Sequence, residues 1–387
     1  MCTLQRVINL LKNVNTKIRT YVVCLMLTPG RKNCAEMART VGISEKKLYA
    51  FLSKAKDNSA EIEKHLIEFA KSTRDKKVQR TAVIDPTALL KRYAQCMEML
   101  CYDKDGCTKH VEKVIVPVCV SLVDKNVKIA LNVDFWVQRK ARGRKKYRSK
   151  VEIAQELILY LRSRGIEFDF VSLDGAFPTP DMFTFFQHNR RMKFTMRIPK
   201  SRCVITTNGK KMQLQNIPAL KLTRNTREKT IKAKLYGKTY FFTAYKRKKK
   251  FGGWETVFLV SNMNLPAKEQ VEAYNLRWPQ EKINRTSKQK FGMHQCQALA
   301  LSKQKAHIMA GYLAHTIIEI ANIDKQEESV DKIVNILRQC HFNDLVDLIR
   351  VSPKLKSMPK IDYIKDSAQN HVQNFHNNTG EFSVLNV

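Results

Sequence analysis

A chain of 387 residues with 43% hydrophobic side chains has material for two or three domains and too much apolar content for disorder. Lys and Arg number 70 against 35 Asp and Glu, so the net charge is +35 and the surface calls for a polyanion, nucleic acid before an anionic membrane. The longest apolar runs, Tyr21–Leu27 and Ile308–Ala314, are too short to span a bilayer, and neither a basic amphipathic anchor nor a signal-peptide pattern is present.

Ten cysteines are scattered without a C-x-x-C pair. Cys96, Cys101, Cys107 and His110 come closest to a zinc cluster, but their spacing fits no finger, so the cysteines are expected as reduced core thiols of an intracellular protein.

In chain order, residues 1–75 are helical in pattern. Within them, Cys34 to Ser53 has the layout of a helix-turn-helix. Ala35, Met37 and Ala38 face a partner helix, Gly42 permits the turn, and Ser44 N-caps a second helix. Leu48, Phe51 and Leu52 of that helix point inward, while Lys46 and Lys47 point out, where they can meet DNA. Lys71–Arg80 reads as a polar linker. Thr81–Asp85 is a β-branched strand ending in a carboxylate and closed by Pro86. Val114–Val123 and Lys128–Val137 are two further strands, joined by the turn Asp124-Lys125-Asn126. The segment 139–150 contains Arg139, Lys140, Arg142, Arg144, Lys145 and Lys146 and no acid, a density of cation suited to gripping phosphates.

Val151–Arg164 carries one apolar stripe and is a helix ended by Gly165. The strand starting at Phe168 ends in a second carboxylate, Asp174; a helix over Asp181–His188 and a strand over Lys193–Ile198 follow. Residues 201–262 read as a basic β insertion, with strands at Thr230, Thr239 and Trp254 and a cation run at Lys246–Lys250. Trp254 can stack on an exposed base, although a core tryptophan is the commoner case. Phe291 to Ile323 is expected to be an apolar helix packed on the sheet, and residues 326–387 a helical start with a polar tail.

The stretch Tyr274–Lys288 spaces Tyr274, Arg277, Glu281 and Lys288 by 3, 7 and 14 residues from its first member. On one continuous helix they share an arc of roughly 60°, which puts a carboxylate between cations. An ordinary solvated face with an i,i+4 Arg–Glu pair has the same spacing. Other carboxylates sit less favourably: Asp134 lies mid-strand, Asp169 at a strand start, and Asp103 and Asp105 in a loop.

Three antiparallel strands, a helix, a strand, a helix and a strand is the order of an RNase H-like α/β domain, with acids at the edge of its first and fourth strands. Asp85, Asp174 and Glu281, with Y-x2-R-x3-E-x6-K around the last, resemble the insertion-sequence transposases of the D-D-E class, in the subgroup bearing that signature. Phe291-Gly292-Met293 and the N-terminal motif extend the resemblance over roughly residues 28–320. The resemblance implies a retroviral-integrase-like catalytic domain (76–200 and 263–325) with a mixed sheet and flanking helices, a helical DNA-binding domain (1–75), the β insertion (201–262) and a helical C-terminal region (326–387).

It further implies a prokaryotic cut-and-paste transposase of the cytoplasm or nucleoid, acting as a dimer on double-stranded DNA, namely transposon ends and target. Two Mg²⁺ (or Mn²⁺) ions, about 3.5–4 Å apart, would be held by Asp85, Asp174 and Glu281 in a cluster roughly 8 Å across. Tyr274, Arg277 and Lys288 would hold end phosphates. A catalytically silent DNA-binding protein and an RNase H-like nuclease without strand transfer are the competing readings. One departure stands out. Family members carry a helix former before the glutamate, but here Trp278-Pro279 precedes it, so the helix either kinks or restarts with Pro279 in its first turn.

Overall fold

The computed structural model describes residues 3–104, 110–138, 147–249, 252–323 and 329–350. Five helices come first: α1 (Thr3–Lys12), α2 (Thr16–Leu27), α3 (Cys34–Val41), α4 (Glu45–Ser53) and α5 (Ala55–Ser72). Their ends follow the local sequence. Asn15, Asn33 and Ser44 accept backbone N–H groups at the starts of α2, α3 and α4, and Gly42 ends α3 in the left-handed region at φ 70°. Leu48, Phe51 and Leu52 are buried, and Lys46 and Lys47 are exposed.

The sheet begins with β1 (Thr81–Pro86), β2 (Leu89–Leu90), β3 (Cys101–Lys104), β4 (Val111–Val123) and β5 (Lys128–Trp136). Next come α6 (Lys150–Ser163), β6 (Phe170–Leu173), α7 (Pro180–His188) and β7 (Phe194–Ile198). A capping box between Ser149 and Glu152 fixes the start of α6. The strands β8 (Cys203–Thr206), β9 (Lys211–Gln213), β10 (Glu228–Leu235), β11 (Lys238–Lys248) and β12 (Trp254–Ser261) follow. Last come α8 (Ala267–Asn275), α9 (Trp278–Gln289), α10 (Leu301–Ala321), α11 (Val330–Cys340) and α12 (Phe342–Asp347).

The spatial order runs β5-β4-β1-β6-β7 and continues through β12-β11-β10-β8-β9; β2 and β3 pair with the first half of β4. The β1–β6 and β6–β7 pairs are parallel and all others antiparallel. Thr81–Ile84 and Phe170–Leu173 are buried throughout, so the middle of the sheet is covered on both faces. The strands of 203–261 extend the same sheet: β12 pairs with β7 from Phe258↔Ile198 to Ser261↔Thr195.

Two segments differ from the sequence reading. The helix expected from Phe291 starts only at Leu301, because Gly292 takes φ 62° and turns the chain. In Lys71–Arg80, which reads as a polar linker, Arg80 is 1% exposed; it pairs with Asp124 of the β4–β5 turn at 2.6 Å and donates to the Ala70 carbonyl at 2.7 Å. The N-terminal helices pack on α10. Phe51 stacks on Tyr21 with ring centroids 4.1 Å apart, and the Tyr21 hydroxyl meets His307 Nδ1 at 2.9 Å. Among the described cysteines Cys24, Cys34, Cys101, Cys119 and Cys296 are buried, but Cys96, Cys203 and Cys340 are exposed. Among the described residues no helix is long and apolar enough to cross a membrane.

Candidate active site

The parallel register pairs Ile84 with Leu173 and Leu173 with Met196. One step further along, Asp85, Asp174 and Arg197 therefore lie side by side at the same edge of β1, β6 and β7. On the other side of Asp85, β4 offers Cys119 in register. The Cys119 thiol is pushed up by burial to about 12 and accepts the Tyr312 hydroxyl at 2.8 Å, so it is a neutral neighbour and not a ligand.

Glu281 comes to this edge on α9. Pro279 lies in the first turn of α9, where its missing N–H costs nothing, and α8 has already ended at Asn275. Of the two outcomes open to the sequence, the helix restarts. The first turn suits Glu281, because its carboxylate meets the positive end of the helix dipole. The inner side of α9 is polar as well as apolar: Ile283 is buried, but so are Gln280, Asn284 and Ser287. Asn284 Nδ2 donates to Asp85 Oδ2 at 3.2 Å, and Asn284 Oδ1 accepts from Gln280 at 3.0 Å.

Arg277, between the two helices, ties the acids together. Its Nη2 is 2.7 Å from Glu281 Oε1 and its Nη1 is 3.7 Å from Asp85 Oδ1, with the side chain 5% exposed. The two carboxylates thus lie within one guanidinium and two ionic contacts of each other, and the guanidinium lies against the rings of Tyr274 and Trp278. Burial would lower the Arg277 pKa, but Tyr274, Asp174, Glu281 and Asp85 hold it above its ordinary value. Burial pushes the Asp85 carboxyl up to about 7, opposed by Arg277 and the Asn284 hydrogen bond and reinforced by the charges of Asp174 and Glu281. Among the described residues no three His, Cys, Asp or Glu side chains are gathered closely enough to hold a metal ion as they stand. A protein cation, Arg277, lies between Asp85 and Glu281 instead.

The remaining sequence candidates fall in several places. Tyr274 is 1% exposed, packed with Tyr245, Val257 and Leu259, so its hydroxyl faces the interior. Lys288 Nζ donates to the Ala88 carbonyl at 2.9 Å, just past the end of β1. Trp254 is 58% exposed and not a core residue, because it opens β12 beside the Gly252–Gly253 turn. Lys46 and Lys47 are exposed on α4. Arg139, Lys140, Arg142, Arg144, Lys145 and Lys146 lie outside the described residues, as does Lys250. Two neighbours of the acids carried no signal of their own: Asn284, three residues after Glu281 on the same helix side, and Arg197, visible only through strand register.

The mixed α/β fold is compatible with a nuclease of the DDE type, and the sequence comparison names that class. Residues 9–215 match the model of the DDE superfamily endonucleases, and the chain belongs to that superfamily. Residues 120–317 match the transposase DDE domain, so the protein is a DDE transposase, a metal-dependent enzyme whose partner is DNA. The first match spans Asp85 and Asp174, the second Asp174 and Glu281. No curated protein matches the chain.

Proposed function

We propose that this transposase binds the inverted repeats at transposon ends, cuts their phosphodiester bonds at Asp85, Asp174 and Glu281, and transfers the freed 3′ ends to target DNA. The observation that supports this most is the strand register that sets Asp85 beside Asp174, with Glu281 joined to Asp85 through one guanidinium. The sheet order β5-β4-β1-β6-β7 fits an RNase H-like, retroviral-integrase-like domain, and α3–Gly42–α4 fits a helix-turn-helix reader of the repeat.

The donor set fits a hard divalent cation: oxygen ligands at a strand edge, beside a neutral buried thiol. Asp85, Asp174 and Glu281 would hold Mg²⁺ or Mn²⁺, two ions in all. When bound, the ions lower the pKa of the attacking water and offset charge on the leaving 3′ oxygen. The chain's own residues do the rest. Asn284 fixes the rotamer of Asp85, and Gln280 fixes Asn284. Lys288 and Arg197 flank the edge with positive charge along the substrate path. Arg277 is the fork best shaped for a phosphate, and Tyr274 backs it with its ring. Trp254 offers an exposed face for a base, and Lys46 and Lys47 an exposed pair for the backbone. Pairing two ends calls for a dimer in the synaptic complex.

The test uses a duplex carrying the repeat next to the reading frame. Asp85→Asn, Asp174→Asn and Glu281→Gln should each shift that duplex in a gel as well as the wild type does, yet neither nick it nor join it to a plasmid. Substantial nicking by any one of them removes that residue from the site. Nicking without joining by the wild type would leave a nuclease only.

A further inference from the structure

The geometry points to Arg277 as a resident counter-cation that occupies the carboxylate edge in the absence of DNA and must leave Asp85 and Glu281 before a divalent ion can load. The inference rests on the assignment of Asp85, Asp174 and Glu281 as metal ligands and adds a condition on when they become available.

Three arguments support it. The first is position: the guanidinium touches Glu281 at 2.7 Å and Asp85 at 3.7 Å, so oxygens that would face an ion face Arg277 instead. No group of three acids is gathered for a metal among the described residues, although strand register and helix placement bring all three to one edge. The second is charge. Without a cation, carboxylates at a buried edge repel one another, and one guanidinium offsets part of that repulsion. The same positive charge repels an incoming divalent ion, and it cannot be removed by deprotonation, because guanidinium stays protonated in proteins. Access therefore requires the side chain to move.

The third argument is the available destination. Arg277 is 5% exposed and flanked by Trp278, which is itself 42% exposed, so solvent lies one ring away. A DNA phosphate at the edge would match the fork bidentately and draw it off the carboxylates. Metal loading then follows DNA binding, so the edge stays closed to a divalent ion until a backbone phosphate is seated there.

The experiment measures Mn²⁺ affinity by electron paramagnetic resonance on the full chain without DNA. Wild type is compared with Arg277→Gln, Arg277→Lys, Asp85→Asn and the double variant Arg277→Gln/Asp85→Asn, each checked for folding by circular dichroism. Arg277→Gln should bind Mn²⁺ at least about tenfold more tightly than wild type, the scale of removing one charge a few ångströms away at a partly buried site. Arg277→Lys keeps the charge but loses the fork and should fall between the two; it also serves if the Gln variant misfolds. A role confined to packing α8 against α9 would weaken Mn²⁺ binding in both. Equal or weaker binding by the Arg277 variants, together with loss in Asp85→Asn, overturns the inference and leaves the metal site standing. If Arg277→Gln/Asp85→Asn binds as tightly as Arg277→Gln, the metal site falls and the inference falls with it.

Discussion

Replacing Asp85 by asparagine removes one charge and almost no volume from the strand edge. The side chain is 14% exposed, and the amide oxygen can still accept from Asn284, which now donates at 3.2 Å. On folding the carboxyl moves from 3.8 to about 7, burial being the largest cause. Its folded value lies above its unfolded one, so the native state holds the extra proton between those pH values, and stability falls as pH rises through that window. At about 1.4 kcal/mol per unit of pKa, the ionised group destabilises the metal-free fold by about 4 kcal/mol once pH exceeds 7. The substitution should therefore raise the unfolding midpoint by several degrees at pH 8 in EDTA, and leave it unchanged near pH 4. Cleavage should fall at least about 1,000-fold, because a metal-held charge contribution worth several kcal/mol is lost. Gain of stability with loss of activity marks a residue kept for chemistry. Paired thermal melts at the two pH values and a nicking time course make the check. A variant less stable than wild type at pH 8 would refute the electrostatic reasoning, whatever its activity.

Gly292→Ala should cost about 3 kcal/mol or more, from left-handed strain plus overpacking, since a Cβ there would sit 2.7 Å from Lys32 Cβ and 2.8 Å from Gln295 Oε1 at φ +62°; urea unfolding reads it. Burial holds His307 down at about 4, with the Tyr21 hydroxyl at its Nδ1 and the Gly292 carbonyl at its Nε2, 2.9 Å each. Its folded pKa is the lower one, so its contribution, about 3 kcal/mol, is intact above pH 6.5 and lost as pH falls toward 4, and His307→Gln should flatten the melting curve against pH there. Lys46→Ala/Lys47→Ala, both exposed on α4, should leave stability within about 0.5 kcal/mol of wild type. The same pair should make the salt dependence of end binding shallower by about two in log–log slope.

Much of the sheet from β1 to β7 was legible because its signals are local. β-branched runs ended by Asp85-Pro86 and Asp174-Gly175 mark β1 and β6, and the Asp124-Lys125-Asn126 turn marks the β4–β5 hairpin, closed by the Asp124 side chain accepting from Asn126 and Val127 at 2.8 Å each. What pairs with what over long range was not legible. That β12 joins β7 and carries the strands of 203–261 onto the same sheet depends on contacts 60 residues apart, which period-2 alternation does not encode. The loop at 291–300 was hidden by its apolar residues, since a buried loop and a buried helix can share composition; Gly292 was the signal, and its φ of 62° is the reason.

The spacing of Tyr274, Arg277, Glu281 and Lys288 was read on one continuous helix, and the structure changes which way they face. The one-helix arc assumed an unbroken helix, whereas Pro279 ends it: α8 stops at Asn275 and α9 restarts at Trp278. Leu276 and Arg277 nevertheless keep right-handed helical angles across the gap, so the i,i+4 relation from Arg277 to Glu281 survives the break. A solvated face would have left this pair at the surface, worth a fraction of a kcal/mol. Here Tyr274 and Arg277 turn toward the sheet, and Asn284 and Gln280 continue the same polar side along α9. The polar residues on a helix that packs against β1 and β4 carry information that an apolar-periodicity search discards. Asn284 bonds Asp85 and Gln280 bonds Asn284, so these two polar side chains give the buried carboxyl a partner and hold that partner in place. The signature thus describes an inner lining, in which Arg277 contacts the Asp85 and Glu281 carboxylates and Lys288 the Ala88 carbonyl.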